Sequence, residues 1–145
     1  AALELAAEWV LCPGGGLGNR ITHVPGSSDV FLGGVIAYSN ELKQKILGVE
    51  ENTLIKHGAV SRETAKEMAD GVRKLTGSDI SAAVTGIAGP GGAAKGKPVG
   101  LVFMHLNAAD TEMGIHKVFP GERQIVKTRT VNESLNLIKN YLKKL

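Results

Sequence analysis

Short apolar runs alternate with capped helices along most of this chain, and that alternation restricts the folds open to it. VFLGGVIAY, from Val30 to Tyr38, is rich in β-branched and aromatic residues and predicts a strand. Ser39 and Asn40 then offer an N-cap for ELKQKIL, with Gly48 as the stop. A short helical turn over Glu51–Lys56 should end at Gly58. After the capping Ser61, an apolar stripe of Ala65, Met68, Ala69, Val72 and Leu75 predicts a helix ending at Gly77. DISAAVTG reads as a buried strand. VGLVFMHL (Val99–Leu106) and MGIHKVF (Met113–Phe119) read as a hairpin across the polar NAADTE. The final helix should start near Glu122 and bury Ile125, Val131, Leu135, Ile138 and Leu142. The first ten residues, AALELAAEWV, have helical propensity. Strands interleaved with helices argue for a three-layer α/β/α sandwich with a mixed, mostly parallel sheet.

With 145 residues the chain suits one domain over 1–145. A hydrophobic share of 43% fits a globular core, but aromatics are only 4%, so Val, Ile, Leu and Ala must fill it. Too few aromatics remain to stack bases, and the net charge of +3 leans on Lys139, Lys143 and Lys144, so no nucleic-acid partner is expected. Those lysines suit the negative end of a helix dipole. No apolar run is long enough to span a membrane. The single cysteine cannot form an intramolecular disulfide, and the acidic Glu4 and Glu8 do not suit a signal peptide. A cytoplasmic protein is expected. Histidines 23, 57, 105 and 116 lack partners at metal-ligand spacing, so neither a metal nor another cofactor is expected, and His105 should sit in the sheet.

Four segments can carry chemistry. In LCPGGGLGNR, Gly14 and Gly16 fit the start of a dinucleotide fingerprint, but Asn19 stands where the last glycine belongs and no acidic residue follows at the proper distance. The turn can still cradle a phosphate, or it can simply join a strand to a helix. In YSNELK, Ser39 and Lys43 fall one helical turn apart. A buried lysine can act as a base beside a hydroxyl; equally, Ser39 can be a cap and Lys43 a solvated cation.

The third segment, TGIAGPGGAAKGKPVG at 85–100, empties a strand into glycines, prolines and two lysines. Such loops hold ligands at the carboxyl ends of open sheets. Thr85 supplies a hydroxyl, the glycine amides an anion nest, and Lys95 or Lys97 a cation for phosphate. A ligand-free surface loop is the alternative. In FPGER, Arg123 falls in the first turn of a helix, where the dipole disfavours it. It either grips an anion bidentately or makes an exposed ion pair.

VPGSS (24–28), FLGGVIAYSNELK (31–43), LGV (47–49), HGAVS (57–61), TGIAGPGG (85–92), KPVG (97–100) and FPGER (119–123), in that order, resemble the CinA C-terminal domain family. The resemblance runs from about Cys12 to the last helix, and so many motifs in sequence make it specific. Members are nicotinamide-nucleotide amidohydrolases, also called nicotinamide mononucleotide deamidases. The resemblance implies metal-free hydrolysis of a pyridine-nucleotide carboxamide to the acid and ammonia. It implies Lys43 as base, Thr85 as an orienting hydroxyl and Tyr38 lining the pocket. Gly14, Gly15, Ser39, Asn40, Gly86, Gly89 and Arg123 would contact substrate. Many members carry a larger N-terminal domain, and small α/β domains often pair, so a homodimer is expected.

One departure from the family pattern bears on mechanism. Where members have a nucleophilic serine in an E-S-C-T-G-G loop, Leu11 stands here, beside Cys12. Cys12 is one substitute nucleophile, since a thiol near a glycine-rich helix start is acidified, and Ser39 is another. A nucleotide-binding relative without the chemistry is the remaining reading.

Overall fold

The computed structural model describes residues 4–9 and 14–145. Five strands form one sheet in the order β2-β1-β3-β4-β5: β1 (Leu5–Trp9), β2 (Phe31–Ile36), β3 (Ile80–Gly86), β4 (Leu101–Ala108) and β5 (Glu112–Val118). Helices α1 (Gly16–Thr22) and α5 (Arg123–Leu142) cover one face, and α2 (Asn40–Leu47), α3 (Glu51–His57) and α4 (Arg62–Thr76) the other. The expected α/β/α sandwich with a mixed sheet is present.

The four ladders divide evenly, β1 pairing in parallel with β2 and β3 while β3–β4 and β4–β5 are antiparallel. The parallel share is half rather than most because no crossover helix lies between β3 and β5, and strands joined without one pair antiparallel.

The helical reading of the first ten residues gives way to a strand over the described residues 5–9. Helix propensity is a weak prior, and here the backbone gains ladder partners on both sides, from Phe31–Ile36 and from Ile80–Ala82. The ladder with β2 shifts register between Leu5 and Ala6, whose partners are Phe31 and Gly33, so Leu32 bulges at that edge.

Helix punctuation follows the sequence closely. Ser39 and Ser61 cap α2 and α4 by accepting N–H bonds from Leu42 and Thr64, each 3.1 Å. Gly48 and Gly77 end the same helices in the left-handed conformation.

Alternation along the strands builds two cores. Ile80, Ala82 and Val84 of β3 and Val102, Met104 and Leu106 of β4 pack with Leu17, Val126, Val131 and Ile138 from the α1–α5 layer. On the other face Ala83 meets Met68, Ala69, Val72, Leu47 and Ala37. Leu75, expected in that stripe, is 57% exposed. At 3.6 residues per turn it sits about 70° from the stripe's centre.

The inner face of α5 is also rotated from its expected position. Val131 and Ile138 are buried, but Ile125 and Leu142 are exposed, and Val126, Thr130, Ser134, Leu137 and Tyr141 turn inward instead. Two of these, Thr130 and Ser134, are small polar residues that a polarity pattern assigns to solvent. Thr130 Oγ1 donates to Val126 O at 2.7 Å and Ser134 Oγ to Thr130 O at 2.8 Å, so both bury without a polar deficit. Tyr141 then pins the helix end to the β4–β5 turn, its hydroxyl donating to Asp110 Oδ1 at 2.7 Å.

A polar layer separates α4 from β4 and β5. His105, on β4 as expected, is buried; its Nε2 lies 3.2 Å from Glu112 Oε2, which also pairs with Lys66. Arg73 reaches Asn107 Oδ1 at 3.3 Å, and Asn107 donates to Asp70. Burial pushes the His105 imidazole below its ordinary pKa, outweighing the attraction of Glu112. A folded-state value below the unfolded one means that acid favours the unfolded chain. Stability should therefore be full above about pH 6.5 and decline as the pH falls below it. Urea midpoints at pH 7.5 and 5.5 check this, and an unchanged or higher midpoint at pH 5.5 refutes it.

Candidate functional site

Three adjacent parallel strands, in the order β2-β1-β3, end at the same margin of the sheet. The chain leaves β1 for β2 on one side and returns to β3 on the other, so a switch point lies at β1, where open α/β sheets bind ligands. The three principal candidate segments follow these strand ends. The glycine turn follows β1, YSNELK follows β2, and TGIAGPGG follows β3.

The β2 end holds the least expected side chain. Lys43, on the first turn of α2, is fully buried. Its Nζ donates to Tyr38 O and to Asn40 Oδ1, both at 3.3 Å. Burying an ammonium is costly unless it is hydrogen-bonded, and these partners meet that requirement beside the strand end. Asn40 thus holds Lys43. Ser39 Oγ accepts the Leu42 amide as cap, and Tyr38 projects outward, 58% exposed. Gly15 lies beside the end of β2, and Gly14, at φ +58°, precedes it in the turn. A Cβ on Gly15 would stand 3.3 Å from Ile36 Cδ1. Leu11 and Cys12 lie outside the described residues.

The β3 end opens into a cavity of about 300 Å³, lined by Ala59, Val60, the glycine loop from Gly86 to Gly92, Lys97 and Arg123. Gly86 and Gly89 are in it; Lys43 is not among its lining residues. Two glycines of the loop have no substitute. A Cβ on Gly86 would lie 2.9 Å from Leu101 O, and Gly89 has φ +87° with Val99 Cγ1 2.6 Å from the position its Cβ would take. Arg123, which projects from the first turn of α5, donates through Nη1 to Gly89 O at 2.9 Å. A second cavity of about 500 Å³ shares Ala88, Gly89 and Arg123, so the guanidinium stands between the two.

Thr85 is fully buried beneath this cavity and aims its hydroxyl at the wall, donating to Ala59 O at 2.6 Å. The same wall is held at two more points. Gly58 O accepts from Ser61 Oγ at 3.0 Å and Thr64 Oγ1 at 2.8 Å, and His57 O accepts from Lys97 Nζ at 2.5 Å. Three consecutive carbonyls are therefore fixed by side-chain donors from three different elements. HGAVS as a site wall was not read from its residues, because Ala59 and Val60 contribute only surface and backbone. A helix-ending glycine only three residues before a capping serine marks a tightly bent segment, and that is its available signal.

Thr85→Val keeps the shape and removes the donor. Removing the donor to the half-buried Ala59 carbonyl should cost about 1 kcal/mol, measurable by denaturant unfolding.

Among the described residues, no group of three or more His, Cys, Asp or Glu could hold a metal ion, and no helix is long and apolar enough to cross a membrane.

Residues 7–142 match the CinA C-terminal domain family. The CinA-like protein of Thermotoga maritima is 48% identical over 132 residues, which cover 91% of this chain and 32% of that protein. The chain thus spans about a third of the length of the relatives it matches. The competence/damage inducible protein CihA from Agrobacterium tumefaciens superposes with a TM-score of 0.93 at 35% identity, over 96% of this chain and 85% of that one. The competence damage-inducible protein A (ComA) from Klebsiella pneumoniae gives a TM-score of 0.94 at 30% identity, over 98% and 88% of the respective chains. From the match along nearly its whole length, in sequence and in backbone, the chain belongs to the CinA C-terminal domain family.

Proposed function

We propose that this domain binds a pyridine mononucleotide in the cleft at the carboxyl ends of β2, β1 and β3 and hydrolyses its carboxamide to the acid and ammonia, in the cytoplasm. The observation that carries the reading is Lys43, wholly buried at a strand end yet supplied with two polar partners. Nothing in core packing calls for an ammonium there, since apolar side chains fill such positions at lower cost. A catalytic base accounts for it. Lys43 takes a proton from the attacking group and returns one to the departing ammonia. Asn40 and the Tyr38 carbonyl orient the amine. Arg123, beside the glycine loop, meets the phosphate. Thr85, committed to Ala59 O, acts through the wall it fixes and is a positioning residue.

The nucleophile comes from residues 10–13, with the Cys12 thiol the first candidate, or from Ser39. The test is ammonia release from nicotinamide mononucleotide, compared with Lys43→Ala and Cys12→Ala. Release by the wild type that Lys43→Ala abolishes supports the reading, and none from any of them removes it. Leu11 at the family's serine position favours a second reading, a domain that binds the mononucleotide without turnover. Calorimetric binding without ammonia would select it, and absence of binding would eliminate both.

A further inference from the structure

The segment between β3 and β4 is closed at its base by backbone bonds. Ile87 N–H donates to Leu101 O at 2.9 Å and Gly100 N–H to Ile87 O at 2.7 Å. Its far end is a tight turn in which Ala94 and Lys97 exchange N–H···O bonds of 2.9 Å each, with Gly96 at φ +74°. Side chains of its base make a small core of their own, Ile87, Leu101 and Val60 with Val99 and Phe103 against them. Residues 90–96, by contrast, are all exposed. Compact loops packed at the base and free at the tip are commonly functional.

Two cations fasten this loop to other elements. Arg123 holds its base through Gly89 O, and Lys97 holds its tip through His57 O. His57 is the last residue of α3, where carbonyls lack partners within the helix and the dipole favours a cation. Both cations line the cavity under the loop.

We propose that Lys97 is the strap of a lid: bonded to α3 it holds residues 90–96 over the cavity, and on release it frees them for ligand exchange. Gly89, just before the moving span, and Gly96, its last residue, are both at positive φ. The bond joins segments 40 residues apart in sequence, so it ties the tip to α3 in a way the loop's own backbone bonds do not. An ammonium carries three donors, so it can serve His57 O and a phosphate oxygen together. A phosphate-bearing ligand in the cavity therefore shuts the lid more firmly than its phosphate-free counterpart. The strap stands independently of the amidase reading, whereas ligand-driven closure rests on it.

Limited trypsin digestion reads the lid directly. The Lys95–Gly96 bond is at the tip, and trypsin spares Lys97–Pro98, so cleavage after Lys95 reports opening. Lys97→Met should speed that cleavage about tenfold, the effect of one lost charge-assisted hydrogen bond on a local opening equilibrium. Lys97→Arg should restore the wild-type rate. Unchanged cleavage at other sites separates lid opening from global unfolding. A Lys97→Met protein cut after Lys95 at the wild-type rate overturns the strap.

For the ligand, nicotinamide mononucleotide should slow wild-type cleavage after Lys95, and nicotinamide riboside should not. Equal protection by both, or none from a mononucleotide shown calorimetrically to bind, overturns ligand-driven closure. Failure of the mononucleotide to bind defeats the amidase reading and ligand-driven closure with it, while Lys97→Met still judges the strap.

Discussion

Replacing Lys43 with methionine should abolish ammonia release from nicotinamide mononucleotide while leaving the fold intact. Positioned general bases contribute about 10²–10⁴-fold to a rate, and loss of at least about a thousandfold is expected here. Methionine matches the length of the lysine stem, so the volume that the fully buried side chain fills is kept. The Tyr38 carbonyl and Asn40 Oδ1 lose their donor, at a cost of about 1–2 kcal/mol. The change should therefore separate catalysis from stability. A variant that melts a few degrees lower but turns over at a tenth of the wild-type rate or faster would exclude Lys43 as the base. Lys43→Arg is not a conservative control, because the guanidinium is larger and does not give up its proton.

The largest effect on stability should come from a single methyl group. At Gly71, midway along α4, an added Cβ would stand 1.9 Å from Leu47 O, 2.7 Å from its carbonyl carbon and 2.9 Å from its Cα. All three are backbone atoms at the last residue of α2, so no side-chain rotation relieves the contact. In an exposed helix interior, glycine to alanine stabilises by roughly 0.5–1 kcal/mol. Here the sign reverses. Parting α2 from α4 would loosen the cluster of Leu47, Val49, Met68 and Val72, and a loss of about 3 kcal/mol is expected. Thermal and urea unfolding of Gly71→Ala measure it, and stability equal to or above the wild type refutes the close approach.

That contact also marks how far residue patterns reach. Helix ends were legible because caps are local chemistry: Ser39, Gly48, Ser61 and Gly77 act within four residues of themselves. Gly71 is silent in the same reading. It sits inside an amphipathic helix, and its reason is a carbonyl 24 residues upstream. Residues 5–9 show the same limit, since only strands that arrive later in the chain make them extended. In α5, Thr130 and Ser134 misdirect a polarity pattern because each satisfies its hydroxyl within its own helix.

The candidate site divides along the same line. Its glycine loop and Arg123 are visible as unusual composition in unusual places, and both meet at one cavity. The burial of Lys43 and the commitment of Thr85 to Ala59 O are not visible, because each depends on a distant or reversed segment of backbone. Composition finds where a ligand could sit; only the fold decides which donors remain available to it.

Both margins of the sheet are shaped in ways that discourage another strand from joining. β5 offers Glu112, His116 and Lys117 along its length, and β2 interrupts its regular spacing where Leu32 swells out of line. A growing ribbon of stacked copies would have to bury charge at one end and straighten a kink at the other. Crowded solutions of this domain should accordingly stay clear of fibres.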